Sequence, residues 1–355
     1  MGGSLGLALR GRAGVREVRG VDPDPEALRV GAAVGAITHA AASIEEAADG
    51  ADAVFLATPV GEVAAVARRA LAASGPECLV SDVGSAKAGV LAALEPGERE
   101  RFIGGHPICG GERTGVAFAR SDLFQGATWF LTPAAEARSD LFERLHGLVA
   151  TLGARPVAIE ARVHDRLMAL VSHLPHVLAA ALVNQAADTA PGGREALRSA
   201  GPSFGDLTRV AGANPPLWAD ILLANRDAVL EAIRAYAGRL GEAERALAAR
   251  DRQWLQDFVA EAAEGRERLR AAGRVDAGEP WRITVAVPNR PGAISEIATA
   301  LGHAHINIED LLLRPGVSGE EGELALVVSG EEAARRAVEL VEGRGYRAGA
   351  VPAPA

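Results

Sequence analysis

Cysteine, lysine and aromatic residues are scarce in this chain of 355 residues, and the scarcity of cysteine excludes two kinds of site. The two cysteines, Cys78 and Cys109, exclude a disulfide framework and a cysteine-based zinc site, and no other metal site is predicted. A chain without a disulfide framework fits the reducing cytoplasm, which is its expected location. The longest apolar run, Leu174–Val183, is too short to span a membrane, and Met1–Leu9 lacks the basic leader of a signal peptide.

Charge and length narrow the class of protein further. The chain carries 37 Lys and Arg residues against 46 Asp and Glu residues, a net charge of −9, which argues against nucleic acid or an anionic membrane as the main partner. Apolar residues make up 48% and charged residues 23%, which is typical of a globular protein, and the length predicts two or three domains. Lysine occurs once, at Lys87, so this position is a candidate for a role that requires an ammonium group.

The N-terminal part of the chain alternates short predicted strands with helices rich in alanine and leucine. This alternation predicts a Rossmann-like α/β domain over residues 1–158, built on a mostly parallel, doubly wound sheet. Ligands of such sheets bind at the carboxyl ends of the strands. The predicted strands are Glu17–Val21, Ala53–Ala57, Cys78–Asp82, Arg101–Gly104, Thr128–Leu131 and Arg155–Ile159.

Two further domains are predicted after the first. Helical spacing of apolar residues over Asp165–Gln185, Asn214–Leu240 and Glu242–Ala272 predicts an all-α domain over residues 159–272. After a glycine-rich linker, residues 281–351 follow a β-α-β-β-α-β order, which is ferredoxin-like. The helical stretch Glu242–Ala272 carries more apolar area than a solvent-facing helix needs, so we expect a homodimer interface there. This apolar stripe consists of Leu247, Trp254, Leu255, Phe258 and Ala262.

The N-terminus contains part of a dinucleotide-binding motif. Gly2-Gly3-Ser4 open a predicted helix, and the strand that follows ends at Asp22, whose carboxylate would accept hydrogen bonds from the adenosine ribose and repel a 2′-phosphate. This arrangement predicts NAD rather than NADP as the cofactor. Thr58-Pro59, at the end of a later strand, are further candidates for the cofactor site. The first strand of the motif is missing, so we expect the sequence to begin inside the motif.

Short motifs rich in glycine, histidine and charged residues follow the predicted strands and lie along the predicted helices. They are Asp82-Val83-Gly84-Ser85-Ala86-Lys87, Gly104-Gly105-His106-Pro107-Ile108-Cys109-Gly110-Gly111-Glu112, Val171-Ser172-His173-Leu174-Pro175-His176, Phe204-Gly205-Asp206-Leu207-Thr208-Arg209-Val210-Ala211 and Pro216-Leu217-Trp218. In this order they resemble the prephenate/arogenate dehydrogenase family of tyrosine biosynthesis. Asn289-Arg290-Pro291-Gly292 and Ile306-Asn307-Ile308 are similar to segments of an ACT domain, so the resemblance covers nearly the whole chain.

The resemblance implies oxidation of the ring alcohol of prephenate by NAD⁺, while a carboxylate on the same ring leaves as carbon dioxide and 4-hydroxyphenylpyruvate forms. His106 is implied as the group that draws off the hydroxyl proton, which suits a neutral histidine near pH 7, with Ser85 orienting it or sharing its hydrogen bond. Arg209 is implied as the substrate anchor, since arginine grips a carboxylate with two parallel hydrogen bonds. Asp206, one turn earlier, would orient Arg209.

Four more positions are assigned by the same resemblance. His176 resembles a second active-site histidine that helps to hold the substrate, and Ser172 lies one helical turn from it. Trp218 matches an aromatic residue near the substrate, although packing in the core explains a tryptophan equally well. Lys87 is interpreted as electrostatic support for the cofactor and substrate pocket.

The ACT resemblance implies regulation by a small amino acid, and tyrosine, as the end product of the pathway, is the expected effector. A proline at a helix start followed by a glycine lets backbone N–H groups approach a ligand carboxylate at the positive end of the helix. A purely structural loop, or a unit that only mediates assembly, is the alternative. The candidate effector site consists of Asn289, Pro291, Gly292, Ala293 and Asn307.

Three alternatives to a prephenate dehydrogenase stay open at this point. The same fold could act on arogenate, whose side chain carries an ammonium in place of the keto group, and no residue decides between the two substrates. A β-hydroxyacid dehydrogenase is disfavoured because these enzymes use a helical lysine, and the predicted α domain has none. A non-catalytic amino-acid-sensing protein is the third alternative, motivated by the missing first strand.

Overall fold

The computed structural model describes residues 1–110, 115–189, 200–272, 279–288, 290, 293–304, 306, 308, 310–314 and 321–353. The chain divides into two compact units, residues 1–240 and residues 241–355.

The first unit contains a five-stranded sheet of order β3-β4-β5-β6-β7. All neighbouring strands run parallel except β5 and β6, which are antiparallel. Two further short strands, β1 and β2, form a separate parallel pair. The strands are β1 Arg19–Gly20, β2 His39–Ala40, β3 Ala53–Leu56, β4 Leu79–Asp82, β5 Phe102–Pro107, β6 Thr128–Pro133 and β7 Arg155–Ala158.

Helices cover both faces of this sheet, as a doubly wound fold requires. Successive strand residues point to opposite faces, so Leu79 belongs to one apolar cluster with α1 and α7, while Val80 belongs to a second cluster with α4 and α5. Both side chains are buried. The helices are α1 Gly2–Arg12, α2 Pro25–Ala33, α3 Ile44–Ala48, α4 Val63–Ala73, α5 Ala88–Ala93, α6 Pro96–Arg99 and α7 Ser139–Thr151.

After β7 the chain is helical. The Glu160 carboxylate caps the first of these helices by accepting from the N–H groups of Arg162 and Val163. A π-helical turn, Ala169–His173, joins the first helix to the second. The helices are α8 Ala161–Met168, α9 Leu174–Thr189, α10 Pro202–Thr208, α11 Pro215–Ala224, α12 Arg226–Ala249 and α13 Arg252–Ala272.

The helical stretch 161–188 is long and apolar enough to cross a membrane, with a mean hydropathy of 1.6, although the apolar run in the sequence is short. One such stretch is weak evidence for a membrane protein, since the core helices of soluble proteins have the same length and apolarity. Here the stretch also carries the polar residues His164 and Asp165, which are buried and hydrogen-bonded within the first unit. Only 28% of its most apolar part is buried, and Leu170 and Val171 are exposed by 59% and 57% in the isolated chain.

The second unit contains a four-stranded antiparallel sheet of order β11-β8-β10-β9 with two helices packed on it. Alternate residues of β8, among them Ile283 and Val285, are buried against the helices, as expected for a sheet with one covered face. This is the predicted ferredoxin-like arrangement. Its elements are β8 Pro280–Pro288, α14 Ala293–His303, β9 Asp310–Arg314, β10 Glu321–Ser329, α15 Glu331–Glu342 and β11 Arg347–Pro352.

Two predicted boundaries are wrong. The helix expected to begin at Glu242 is continuous with the preceding one as α12, and the break comes at Arg250, which has a left-handed φ of 54°. Asp251 then accepts a hydrogen bond from the N–H of Trp254 and starts α13. The strand expected to begin at Ile306 begins at Asp310. Apolar periodicity locates the interior of an element but not its ends, which depend on local turn geometry and capping.

Candidate active site

His106 lies near the carboxyl-terminal end of β5 and is partly buried. Its Nδ1 is 2.9 Å from Nε2 of His164, which lies on α8 and has no exposed surface. The ring of Phe130 contacts His164 edge-on, with 5.5 Å between the ring centroids. The His106 ring is therefore held by a buried partner from another element.

Asp165 continues this chain of hydrogen bonds into the backbone. Its Oδ1 is 2.9 Å from Nδ1 of His164 and accepts from the N–H of Lys87, while its Oδ2 accepts from the N–H of Ala88. These N–H groups belong to the first turn of α5, which has no other side-chain cap within the described residues. Asp165 thus satisfies two helix-terminal donors and presents a fixed acceptor to His164.

Below His106, Asp82 and Lys87 form a buried ion pair, with 0% and 1% of their side-chain surfaces exposed. Asp82 also accepts hydrogen bonds from the N–H of Gly105, at 3.0 Å, and from that of Gly84, at 2.9 Å. A Cβ placed on Gly104 would lie 2.3 Å from Oγ1 of Thr132, so only glycine allows β5 to approach β6 here. Asp82, at the end of β4, thus binds the ammonium group of Lys87 in the following loop and the backbone of β5.

The surroundings of His106 keep its imidazole neutral. Burial, together with the positive charge of Lys87 and the nearby His164 and His173, lowers the pKa of His106 well below its usual value of 6.5. A neutral imidazole near pH 7 is able to accept a proton. The geometry and the electrostatics therefore both fit His106 as a base.

A second group of residues lies on the helices that follow α8. The rings of His176 and Trp218 are stacked, with 3.4 Å between their centroids and 20° between their planes. Nδ1 of His176 is 3.0 Å from the backbone oxygen of Ser172, which fixes the orientation of the imidazole. Burial and the nearby charge of Arg209 lower the pKa of His176. Stacking, hydrogen bonding and charge thus bring four of the predicted substrate-binding residues together.

His173 connects this group to Asp165. Nδ2 of Asn225 donates to the backbone oxygen of Asp165 at 2.7 Å and lies 3.1 Å from Nδ1 of His173. The edge of His173 also faces Trp218, with 6.0 Å between the centroids. Burial, as the largest cause, lowers the pKa of His173 to about 4. His173 is therefore neutral and structural at neutral pH.

The residues predicted to bind a dinucleotide lie on α1 and at the ends of two strands. Gly2 and Gly3 begin α1, whose N-cap has no side-chain hydrogen bond. A Cβ on Gly3 would lie 2.7 Å from Cγ2 of Val116, so the helix start is tightly packed. The Ser4 hydroxyl accepts from the N–H of Arg120 at 3.0 Å.

Thr58 and Asp22 lie close to the ends of β3 and β1. Oγ1 of Thr58 is buried and has no hydrogen-bond partner within the described residues. Pro59, next to it, is exposed and begins the turn that leads to α4. Asp22 is exposed, and its Oδ1 accepts from the N–H of Asp24. An unpaired helix N-terminus and an unpaired buried hydroxyl fit a ligand rich in phosphate and hydroxyl oxygens.

The roles of Ser85, Lys87 and Asp206 stay predictions. The His106 Nδ1 partner is His164, and Ser85 lies partly buried in the loop after β4, so a contact between Ser85 and the substrate hydroxyl stays a prediction. Lys87 lies beneath the site rather than on its surface, which favours electrostatic support over contact with a cofactor. Asp206 is exposed on α10, and its pairing with Arg209 also stays a prediction.

The predicted effector site lies mostly outside the described residues. The effector-site residues that lie outside the described part of the chain are Asn289, Pro291, Gly292 and Asn307. Ala293, at the start of α14, is buried. Next to it, the Arg290 guanidinium binds both carboxylate oxygens of Glu296, and the Tyr346 hydroxyl donates to the same carboxylate.

Sequence reasoning missed His164, Asp165, Asp82 and Asn225. Their partners are far away in the chain: 58 residues separate His106 from His164, and 78 separate Lys87 from Asp165. The sequence did contain one signal for them, because His164 and Asp165 are adjacent at the start of a largely apolar helical stretch. Polar residues that become buried in such a stretch need hydrogen-bond partners.

Comparisons with known proteins identify the family of each predicted domain. Residues 5–158 match the nucleotide-binding domain of prephenate dehydrogenase, residues 160–261 match its dimerization domain, and residues 281–340 match the ACT domain. The Bacillus subtilis protein named prephenate dehydrogenase is 31% identical over 97% of this chain and 94% of its own length.

Solved structures show the same similarity. A crystal structure of prephenate dehydrogenase from Aquifex aeolicus, in complex with hydroxyphenyl propionate and NAD⁺, has a TM-score of 0.71 and 27% identity and covers 75% of this chain and 94% of that chain. A Synechocystis arogenate dehydrogenase structure has a TM-score of 0.66 and 25% identity and covers 76% of this chain and 96% of that chain. With similarity extending over nearly its full length, the chain belongs to the prephenate dehydrogenase family.

Proposed function

We propose that this chain oxidises prephenate to 4-hydroxyphenylpyruvate and carbon dioxide with NAD⁺ as the hydride acceptor. The observation that carries the proposal is the neutral His106, held by a buried hydrogen-bond network at the carboxyl ends of the strands, where ligands of such sheets bind. The family relationship and the NAD⁺ complex of the Aquifex aeolicus relative support it.

In this proposal the residues of the chain bind, orient and deprotonate the substrate. Nε2 of His106 accepts the proton of the ring hydroxyl as its carbon becomes carbonyl-like. Arg209 binds the side-chain carboxylate with two parallel hydrogen bonds, while His176, stacked on Trp218, contacts the same part of the substrate. NAD⁺, when bound, would supply the acceptor for the hydride of the same carbon. The electron pair of the departing carboxylate then completes the aromatic ring.

The proposed NAD site uses the start of α1 and the end of β3. The N–H groups of Gly2, Gly3 and Ser4 would face the pyrophosphate, and the unpaired Thr58 hydroxyl lies at the end of a strand in the same unit, followed by Pro59. Asp22 would accept hydrogen bonds from the adenosine ribose. Lys87 would act through its charge, since its ammonium group is buried against Asp82.

An assay of NADH formation tests the proposed reaction. Prephenate and arogenate are offered side by side to the full chain with NAD⁺, and carbon dioxide release is measured in parallel. Turnover of prephenate with equal amounts of NADH and carbon dioxide is expected. Preferential turnover of arogenate would assign the chain to the alternative substrate, and the Synechocystis arogenate dehydrogenase makes this the second candidate function. NADH formation without carbon dioxide would contradict both.

We also propose that the chain forms a homodimer in the cytoplasm. Two large apolar side chains of the predicted stripe are exposed in the isolated chain, Leu247 by 63% and Phe258 by 38%. Val259, which follows Phe258 in the sequence, is exposed by 66%. The match to a family dimerization domain over residues 160–261 supports the same conclusion. Light scattering at micromolar concentration should give twice the chain mass, and Phe258→Glu should shift the mass towards that of the monomer.

Tyrosine is the effector that we propose for the ACT domain. Asn289, Pro291, Gly292, Ala293 and Asn307 would bind its amino-acid group, since the positive end of a helix attracts a carboxylate. Titration of tyrosine into the full chain should inhibit turnover, and Gly292→Asp, which places a like charge beside the ligand carboxylate, should weaken that inhibition. Equal inhibition of both proteins would place the tyrosine site elsewhere.

A further inference from the structure

Two buried residues beside His106, His164 and Asp165, have no role in the reaction proposed above. Their hydrogen bonds form one continuous chain, from the backbone of α5 through Asp165 and His164 to His106. We propose that His164 and Asp165 are positioning residues that hold His106 with its Nε2 unprotonated and that take up the positive charge when Nε2 accepts the substrate proton. This inference deepens the proposed function and rests on it for the second part.

The protonation state of His106 follows from the direction of each hydrogen bond. Asp165 accepts from two backbone N–H groups and so acts as a carboxylate acceptor towards His164. Nδ1 of His164 must therefore carry a hydrogen, and Nε2 of a neutral His164 is left as an acceptor. It follows that Nδ1 of His106 donates to His164, so that Nε2 of His106 carries the free lone pair.

The same chain of bonds provides a path for charge. When Nε2 of His106 accepts the hydroxyl proton, its Nδ1 proton is able to move along the 2.9 Å hydrogen bond to Nε2 of His164. His106 is then neutral again, and His164 is an imidazolium hydrogen-bonded to the Asp165 carboxylate. One proton enters at Nε2 of His106 and one leaves Nδ1, so no proton is gained or lost beyond that of the substrate.

The need for such a relay follows from the surroundings of His106. Burial and the positive charge of Lys87, together with the nearby His164 and His173, lower the pKa of His106 and so disfavour its positive form. A base with a lowered pKa accepts a proton less readily. Passing the charge to His164, which contacts a carboxylate, offsets this weakness. His164 itself has no exposed surface and an aromatic neighbour, Phe130, so the relay excludes water.

The first test uses the unaltered protein and needs no turnover. Histidine labelled with ¹⁵N in the ring is incorporated, and long-range proton–nitrogen correlations at neutral pH show which ring nitrogen carries the hydrogen. The His106 signals are assigned by their loss in His106→Asn. The proposal expects hydrogen on Nδ1 of His106 and on Nδ1 of His164. Hydrogen on Nε2 of His106 would overturn it, whether or not the protein acts on prephenate.

The second test separates positioning from charge uptake. In His164→Gln the amide oxygen accepts from His106 but the side chain takes up no proton, whereas His164→Leu removes both properties. We expect kcat to fall about tenfold or more in His164→Gln, and further in His164→Leu, towards the roughly 10²–10⁴-fold range of general-base catalysis, with KM within about twofold. His146→Gln, on the exposed face of α7, is the matched control and should leave kcat unchanged.

The pH dependence provides the readout that a purely structural role would not move. Without His164 to take up the charge, the base binds protons more weakly, so the acid limb of the kcat profile should move to lower pH in His164→Gln. Lys87, His173 and Asp165, which face these two rings, are unchanged in the variant. A His164→Gln enzyme with wild-type kcat and an unmoved acid limb would overturn charge uptake by His164. Failure of the wild-type chain to oxidise prephenate or arogenate would instead reject the proposed function.

Discussion

Lys87 and Asp82 form an ion pair that has almost no contact with solvent, and both residues lie directly below the candidate active site. Asp82 accepts hydrogen bonds from three donors, namely the Lys87 ammonium and the N–H groups of Gly84 and Gly105. Burial lowers the pKa of Lys87, while the charge of Asp82 opposes that change. The pair connects the end of β4 with the loop that contains Ser85, and the Asp82 carboxylate also binds the backbone of β5 at Gly105, next to His106.

Removal of Lys87 should destabilise the fold strongly. Lys87→Met leaves the Asp82 carboxylate buried without its counter-charge, and breaking such a pair typically destabilises a protein by about 3–5 kcal/mol. The free energy of unfolding, measured by urea titration, should fall by this amount. Arg29→Ala is the control, because Arg29 pairs with Glu26 on the surface and the loss of an exposed pair changes stability by about 0–1 kcal/mol. Similar small losses in both variants would contradict a structural role for the buried pair.

His106→Asn should lower kcat severely and leave KM almost unchanged. Asparagine is neutral and similar in size, but it accepts no proton from the substrate hydroxyl, so the loss should lie in the range of about 10²–10⁴-fold. Steady-state kinetics of NADH formation measure both constants. An increase in KM alone would show that His106 binds the substrate rather than deprotonating it.

Arg209→Ala should mainly raise KM. The anchor contacts the substrate equally in the ground and transition states, and loss of a charged hydrogen bond of about 1.5–3 kcal/mol corresponds to a rise in KM of roughly 10–100-fold. Arg209→Lys is the matched variant, because it keeps the charge but loses the paired hydrogen bonds, and an intermediate KM is expected. A large fall in kcat with an unchanged KM would contradict the anchoring role.

The sequence predicted the order of the elements well because it depends on local patterns. Apolar runs locate β3 and β4 within one residue of their observed ends, and the switch from strand to helix spacing after β7 marks the helical region. The Rossmann-like, helical and ferredoxin-like classes are confirmed. The antiparallel orientation of β6 was not predicted, since strand direction depends on how the chain returns to the sheet.

The candidate site was predicted less completely. His106, His176 and Arg209 were found by motif, but the network that supports His106 joins α5, β5 and α8, and these contacts exist only after folding. The single lysine was recognised as unusual, and the structure supplies a physical reason. The Cδ atom of Lys87 lies 3.2 Å from the position that a Cβ on Gly104 would occupy. The space around the Lys87 side chain is therefore narrow and suits a slender chain that ends in an ammonium group.

Asp22 should determine the preference for NAD⁺ over NADP⁺. Its carboxylate would accept from the ribose hydroxyls and repel a 2′-phosphate, and Pro23 after it supplies no compensating charge. Asp22→Ser should therefore raise the KM for NAD⁺ and reduce the preference for NAD⁺, measured as kcat/KM for NAD⁺ divided by kcat/KM for NADP⁺. Equal use of both cofactors by the wild-type chain would contradict this assignment.

The stability of the fold should decrease as the pH falls from 6.5 to 4, in part because of His173. Nδ1 of His173 is an acceptor for the Asn225 amide, and burial lowers the pKa of His173 from 6.5 to about 4, so the unfolded chain binds a proton more readily than the folded one in this window. At about 1.4 kcal/mol per pKa unit, the effect of this residue at pH 4 is roughly 3 kcal/mol. His106, whose pKa is also lowered, contributes in the same direction.

Urea titrations of the wild type and His173→Gln at a series of pH values isolate this contribution. Glutamine keeps an acceptor for Asn225 but does not titrate, so the free energy of unfolding should depend less steeply on pH in the variant, with the difference confined to the region below pH 6.5. His146→Gln controls for the loss of an exposed histidine. If the free energy of unfolding depended equally on pH in the wild type and in His173→Gln, the buried imidazole would be protonated in the folded protein. The hydrogen bond that His173 accepts from Asn225 would then be wrong.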